Sequence, residues 1–225
     1  MFRAVIFDID GTLVDSNGAH AKAWVQAIAE TGREVEYSRV RPLIGMGGDK
    51  LLPALIGVSS ESPEGEAIAK RRRAIFASDF LPRLQATRGA QRLLEWLRDD
   101  RMKLVVATSA EEDEVQGLLQ VAGAAKMFES TASSDDAERS KPDPDIVAAA
   151  LKHANCPAAQ TIMIGDTPYD VEAALRAGIE IIALRCGGWS DAQLRGAIAV
   201  YDDPADLLDR YDLSPFRRLV ATRSV

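Results

Sequence analysis

Residues 2–16 read FRAVIFDIDGTLVDS. An apolar run, RAVIF at residues 3–7, ends in two aspartates one residue apart, Asp8 and Asp10, then Gly11 and Thr12. Aspartate is a poor strand former. Two carboxylates this close repel one another, so the pattern calls for a positive charge between them. The run before them lacks polar alternation, as a strand covered on both faces does. The chain therefore opens with a buried strand whose carboxyl end is acidic.

Working outward, three more runs read the same way: KLVVAT at 103–108, TIMIG at 161–165 and IEIIAL at 179–184. FESTAS (128–133) and IAVY (198–201) are weaker strand candidates. Helix-period segments fill the gaps at 90–98, 113–122, 145–154 and 171–177, the last stopped by Gly178. Strand–helix alternation from Gly89 onward predicts a doubly wound parallel sheet flanked by helices, an α/β, Rossmann-like core. Residues 16–86 break that rhythm. They read as helices at 19–31, 50–56 and 64–80, with breaks at Gly32, at GMGG (45–48) and at SSESPEG (59–65). This stretch is too long for a simple crossover. It predicts an inserted helical domain at 16–86, with residues 1–15 and 87–225 forming the α/β core.

With 225 residues the chain can bury a substantial core, and its 47% hydrophobic and 27% charged residues are ordinary for a globular protein. A net charge of -7 argues against a nucleic-acid partner, which needs a basic footprint. The one dense basic run, Arg71 to Arg73, reads as a solvated helix face. No apolar stretch reaches membrane-span length, and the N-terminus enters a strand at once, which predicts no signal peptide. Cys156 and Cys186 form no C-x-x-C pair and fit reduced thiols of a cytoplasmic protein. His20 and His153 are the only histidines, so a multi-histidine zinc site is not expected.

Three strands end in polar residues: Asp8 with Asp10, Thr108 with Ser109, and Asp166 with Asp170. Ligands of open parallel sheets bind at the carboxyl ends of the strands. These residues can therefore converge, together with Lys141 from the loop RSKPDPD (139–145). Four carboxylates and one lysine are strongly unfavourable together unless a cation joins them. Hard oxygen ligands without histidine or cysteine favour Mg²⁺. The balanced site can then hold the oxygens of a phosphate.

Four motifs now stand in order: DIDGT (8–12), VVATS (105–109), SKPDP (140–144) and GDTPYD (165–170). Together they resemble the haloacid dehalogenase superfamily of phosphotransferases, over nearly the whole chain. The likeness is to its capped branch, which holds phosphoglycolate phosphatases and β-phosphoglucomutases. The resemblance implies an Mg²⁺-dependent phosphatase of a small phosphorylated metabolite. Asp8 is then the nucleophile and a metal ligand. Asp10 is the general acid and base, its backbone carbonyl on the metal, its carboxyl raised by neighbouring negative charge. Asp166 is a metal ligand, and Asp170 holds metal-bound water or orients the ligands. Thr108 donates to the phosphoryl group and Lys141 neutralises its oxygens. Gly11 gives a sharp exit from the strand, Ser109 adds a backbone N–H, and Thr12 fixes Asp8 or Asp10.

Within 16–86, His20 and Trp24 share a helix face, and the H-x-x-x-W spacing is similar to that of β-phosphoglucomutases, where it implies the junction of cap and core. GMGGDK (45–50) reads either as a linker before a helix capped by Asp49 or as a specificity loop carrying Gly48 over the site. Lys50 loosely resembles the Schiff-base lysine of phosphonoacetaldehyde hydrolases. CGGWS (186–190) reads as a turn with a packed Trp189. Three rivals to a phosphatase stand: a phosphomutase of the β-phosphoglucomutase type, a dehalogenase or phosphonatase, and a binding protein on a retired enzyme fold. Asp10 argues against the second, and the intact charged groups against the third. The expected assembly is a monomer or weak homodimer.

Overall fold

The computed structural model describes residues 1–217. Six parallel strands form one sheet: β1 (Ala4–Phe7), β2 (Lys103–Ala107), β3 (Ser130–Ala132), β4 (Thr161–Gly165), β5 (Glu180–Leu184) and β6 (Ala199–Tyr201). Their order is β3-β2-β1-β4-β5-β6, so the chain winds outward in both directions from the centre. The two weaker candidates are the edges, and each is only three residues long. An edge strand is covered on one side only and needs less apolar sequence.

The central strand explains its own composition. Val5 and Phe7 face one core layer, while Ala4 and Ile6 face the other, the alternation a pleated strand imposes. Helices α5 (Ala90–Asp99), α6 (Glu112–Val121) and α9 (Pro204–Asp209) pack on the first side. Helices α7 (Asp145–Ala154) and α8 (Pro168–Arg176) cover the second. Among the described residues no helix is long and apolar enough to cross a membrane.

Between β1 and β2 the chain makes α1 (Asn17–Ala29), α2 (Tyr37–Val40), α3 (Gly48–Ile56) and α4 (Pro63–Ile75). The helix expected over 64–80 ends as α-helix at Ile75 and runs on as a π-helical turn, Phe76–Phe80. Helix α4 starts on Ser62, whose hydroxyl accepts from Gly65 N, with Pro63 following and Arg72 and Arg73 in its last turn. Asp49 does not cap α3. Gly47 holds that position, and the Asp49 side chain reaches Ser140 instead. Where the insert leaves and rejoins the sheet, the two chain segments lie side by side: Asp15 N donates to Gln85 O and Thr87 N to Leu13 O.

Registration places the site. Phe7 stands opposite Val106 on one side and Ile164 on the other. The next residues along the three strands therefore leave the sheet together, bringing Asp8, Thr108 and Asp166 to one end.

Candidate active site

Four sequence-predicted residues meet in the protein interior. Lys141 Nζ donates to Asp8 Oδ1 (2.5 Å), Asp170 Oδ1 (2.7 Å) and the Ala107 carbonyl (3.2 Å). Carboxylate oxygens of Asp8, Asp166 and Asp170 lie within 4.8 Å of one another, and all three residues are buried. Thr167 caps α8 and donates from both N and Oγ1 to Asp170 Oδ2, completing a capping box. Asp170 is therefore fixed by the helix start on one oxygen and by Lys141 on the other.

Asp166 is held by two donors from the first loop: Thr12 Oγ1 (2.9 Å) and Asn17 Nδ2 (2.8 Å). Thr12 thus anchors Asp166, not Asp8 or Asp10 as expected, because the turn after β1 points its hydroxyl across to β4. Gly11, at φ +80°, makes that turn, and a Cβ there would collide with Asn17 and Asp166. Gly187 lies as tightly against Asp166, and Cys186 Sγ contacts the Gly11 carbonyl at 3.1 Å. The CGGWS turn is thus a wall of the site as well as a turn.

The electrostatics suit a bound cation. Burial, and then the neighbouring aspartates, push the Asp8 carboxyl well above 3.8 despite Lys141. Burial and Asp170 push Asp166 up to about 7 against the pull of Asn17 and Thr12. Burial alone would lower Lys141, but Asp170 and Asp8 hold its ammonium above the usual lysine value. The Asn17 Oδ1 atom is buried without a partner. An all-oxygen donor set that resists carrying its own charge suits Mg²⁺.

Asp10 departs from expectation. Its carboxylate stands apart from that cluster and accepts from Ser16 Oγ (2.5 Å) and His20 Nε2 (2.8 Å). Burial alone would raise its carboxyl, but His20, Ser16 and the Lys141 charge bring it below 3.8 rather than above. Arg72 Nη1 lies 3.4 Å from His20 Nδ1, on the other side of the ring. His20 stacks on Phe76 with ring centroids 3.9 Å apart.

A small inner cavity, about 50 Å³, lies over Asp8 and Asp10 and is lined also by His20, Thr108, Ser109 and Gly48. Thr108 Oγ1 accepts from Ala110 N (3.1 Å), which leaves its proton for a ligand. Ser109 Oγ reaches the Gly45 carbonyl at 3.4 Å. The GMGG loop is therefore a roof over the site. Gly47 N donates to Ser140 Oγ (2.9 Å), and a Cβ on Gly47 would stand 2.6 Å from Ser140 Cβ. Lys50 lines neither the inner cavity nor the larger one beside it. It pairs with Asp143 beside the Lys141 loop.

Sequence reasoning missed Ser16 and Asn17, which hold Asp10 and Asp166, and also Arg72 with Glu114. Arg72, read as part of a solvated face, is half-buried. Its Nη1 donates to Glu114 Oε1 (2.7 Å) and Oε2 (3.0 Å), and its guanidinium lies 5.2 Å from the Trp24 ring centre. Only Arg71 of the run is a surface residue, paired with Glu30, whereas Arg73 pairs with Glu111. The signal existed: Ile68, Arg72 and Phe76 follow at i, i+4, i+8 along one stripe of α4 and the turn that continues it. Beyond Arg72 the inner cavity adjoins an outer one of about 540 Å³, and both are lined by Trp24, Gly47, Gly48, Arg72 and Ser109.

The family model for haloacid dehalogenase-like hydrolases matches residues 5–184. A phosphoglycolate phosphatase of Pseudomonas syringae pv. tomato is 32% identical over 190 residues, 82% of this chain and 70% of that protein. A validoxylamine A 7'-phosphate phosphatase of Streptomyces hygroscopicus subsp. limoneus is 29% identical over 184 residues, 82% of this chain and 86% of that protein. A crystal structure of a hydrolase from Pseudomonas syringae superposes with a TM-score of 0.87 at 31% identity, covering 93% of this chain and 98% of that one.

Proposed function

The chain belongs to the haloacid dehalogenase-like hydrolases, and from that premise we propose that it is an Mg²⁺-dependent phosphatase. Its substrate is a small-molecule phosphate monoester, cleaved through an aspartyl-phosphate on Asp8. The observation that carries the reading is the contact of Lys141 with both Asp8 and Asp170 inside a buried three-carboxylate cluster. That arrangement has little structural purpose, since isolated buried charges destabilise a fold.

In this reading an Asp8 carboxylate oxygen attacks phosphorus while the bond to the leaving oxygen breaks. Asp10 gives that oxygen its proton, then takes one from the water that attacks the aspartyl-phosphate. His20 and Ser16 hold Asp10 ionised, ready for the second step. A phosphoryl dianion arriving beside it raises its carboxyl for the first. Lys141 and the free Thr108 proton meet the oxygens of the transferring group. Mg²⁺, held by Asp8, Asp166, Asp170 and the Asp10 backbone carbonyl, would supply Lewis-acid neutralisation of phosphoryl charge. Residues 16–86 act as a cap over the core, excluding water when seated and opening for exchange. The free cysteines, Cys156 and Cys186, suit a reducing cytoplasm.

The test is phosphate release from p-nitrophenyl phosphate with and without Mg²⁺. Activity should vanish with a chelator and in Asp8→Asn. Labelled phosphate should be trapped on Asp8 in Asp10→Asn, and label on any other residue would overturn the assignment. The relatives' names carry two unlike leaving groups, so membership leaves the substrate class to the chain's own residues.

A further inference from the structure

Resting on the phosphatase reading, we propose that the substrate is the phosphate ester of an uncharged polyol, of sugar size or larger. Glu114 makes the site refuse a second anionic group. It does so by holding Arg72, and is in that sense a positioning residue for specificity.

Size comes first. A water needs roughly 10–15 Å³ of such space, so the inner cavity of about 50 Å³ takes about one phosphoryl group and little more. Whatever is esterified to phosphorus passes the doorway at Arg72 and Gly48 into the outer cavity. At about 540 Å³ that space lies within the range of small-molecule sites.

Charge comes second. A phosphorylated acid would bring a carboxylate to the doorway, where a cation must meet it or its desolvation goes uncompensated. The cation there is Arg72, and Glu114, itself buried, takes it with both oxygens. Lys141 is already shared between Asp8 and Asp170. Beyond the doorway four carboxylates line the outer cavity against Lys70, Arg72 and Arg73. Arg73 is paired with Glu111, and Lys70 is exposed at the rim, where water screens it.

What the walls do offer is hydroxyl chemistry. Ser60, Ser109, Ser134 and Ser140 line the outer cavity, and a polyol hydroxyl can donate to their oxygens or accept from their protons. Ser134 Oγ is buried without a hydrogen-bond partner, as is Arg72 Nε at the doorway. Buried polar groups normally find partners, so both point to a hydrogen-bonding ligand in this space.

The experiment measures kcat/KM for wild-type protein with Mg²⁺ on glucose 6-phosphate, sorbitol 6-phosphate, 2-phosphoglycolate and 3-phosphoglycerate, beside p-nitrophenyl phosphate. The polyol esters should exceed the phosphorylated acids by about tenfold or more, the discrimination an unpaired buried charge gives. Glu114→Gln, which keeps the shape and frees the Arg72 charge, should shrink that ratio by about tenfold through a lower KM for the acids. Release from p-nitrophenyl phosphate with 2-phosphoglycolate preferred over the polyol esters would overturn this inference and leave the phosphatase reading standing. An unchanged ratio in a folded Glu114→Gln protein would overturn the role of Glu114. If that variant does not fold, the wild-type ratio alone decides. No release from any ester would overturn the phosphatase reading and this inference with it.

Discussion

Thr12 shows how a single hydroxyl serves the site. It is fully buried and spends its proton on Asp166, a carboxylate that burial and Asp170 push up to about 7. Thr12→Val keeps the volume and removes the donor. Mg²⁺ affinity measured by calorimetric titration should fall by about 10- to 100-fold, the usual cost of losing a partner of a metal ligand. The gathering of Asp8, Thr108 and Asp166 was legible in the sequence because each follows a strand end, which backbone geometry fixes, whereas Lys141 and Asp170 come from a loop and a helix start and were expected there from the motif resemblance. Thr12's partner was not. A hydroxyl one residue beyond a glycine at positive φ can swing to several acceptors, and the turn decides among them. The direction of the Asp10 shift was also beyond reach, since it depends on Ser16 and His20 arriving from the start of α1.

At the scale of elements, the insert is fastened to the sheet around the mouth of the site. Lys50 pairs with Asp143, Tyr169 Oη donates to the Pro42 carbonyl (2.7 Å), Arg41 to the Gly187 carbonyl (2.5 Å), and Asp49 accepts from Ser140. These are contacts between chain segments far apart in sequence, which is why periodicity predicted the helices but not what they touch. Gly47 also packs on Ser140, where a Cβ would stand 2.6 Å from Ser140 Cβ. Gly47→Ala collides with Ser140 and with the Asp49 side chain while the roof is seated, and in the cap reading opening the insert would move Ser140 away and leave only the mobile Asp49 carboxylate to shift. The variant should therefore raise KM by about tenfold, as changes at a closing element do. Its melting temperature should move by less than about 2 °C, because no apolar core is lost. A large melting shift with unchanged KM would place the strain in the fold and not in closure. The same clamp has an acid limit. Lys50's hydrogen bond holds the Asp143 carboxyl below 3.8, so its contribution is present above the unfolded aspartate value and is lost as pH falls through the folded one. In Lys50→Met the protease sensitivity of the insert should no longer rise on acidification below about pH 4.

For the whole molecule, the buried carboxylates are a standing cost that a bound cation would offset. Asp166 titrates near 7 when folded and metal-free, against an ordinary value of 3.8. The folded chain therefore binds the extra proton between those values. Stability supplied by that proton is full below the unfolded value and is lost as pH rises through about 7. The melting temperature of metal-free protein should accordingly fall from pH 5 toward pH 8, although most mesophilic folds are at their best there. Saturating Mg²⁺ should reverse the trend. At 100 times the dissociation constant, binding to the folded state alone contributes about 2.7 kcal/mol. For a chain of this length that is a rise of roughly 5–10 °C. Asp166→Asn separates the two effects. Without metal at pH 8 it should melt above the wild type, because a buried charge among like charges is gone. With Mg²⁺ it should gain little, because a ligand is gone as well. Scanning calorimetry of both proteins, with chelator and with Mg²⁺, reads all four values in one experiment. A wild type indifferent to Mg²⁺, or an Asp166→Asn protein that still responds fully, would show that these three carboxylates were not gathered for an ion.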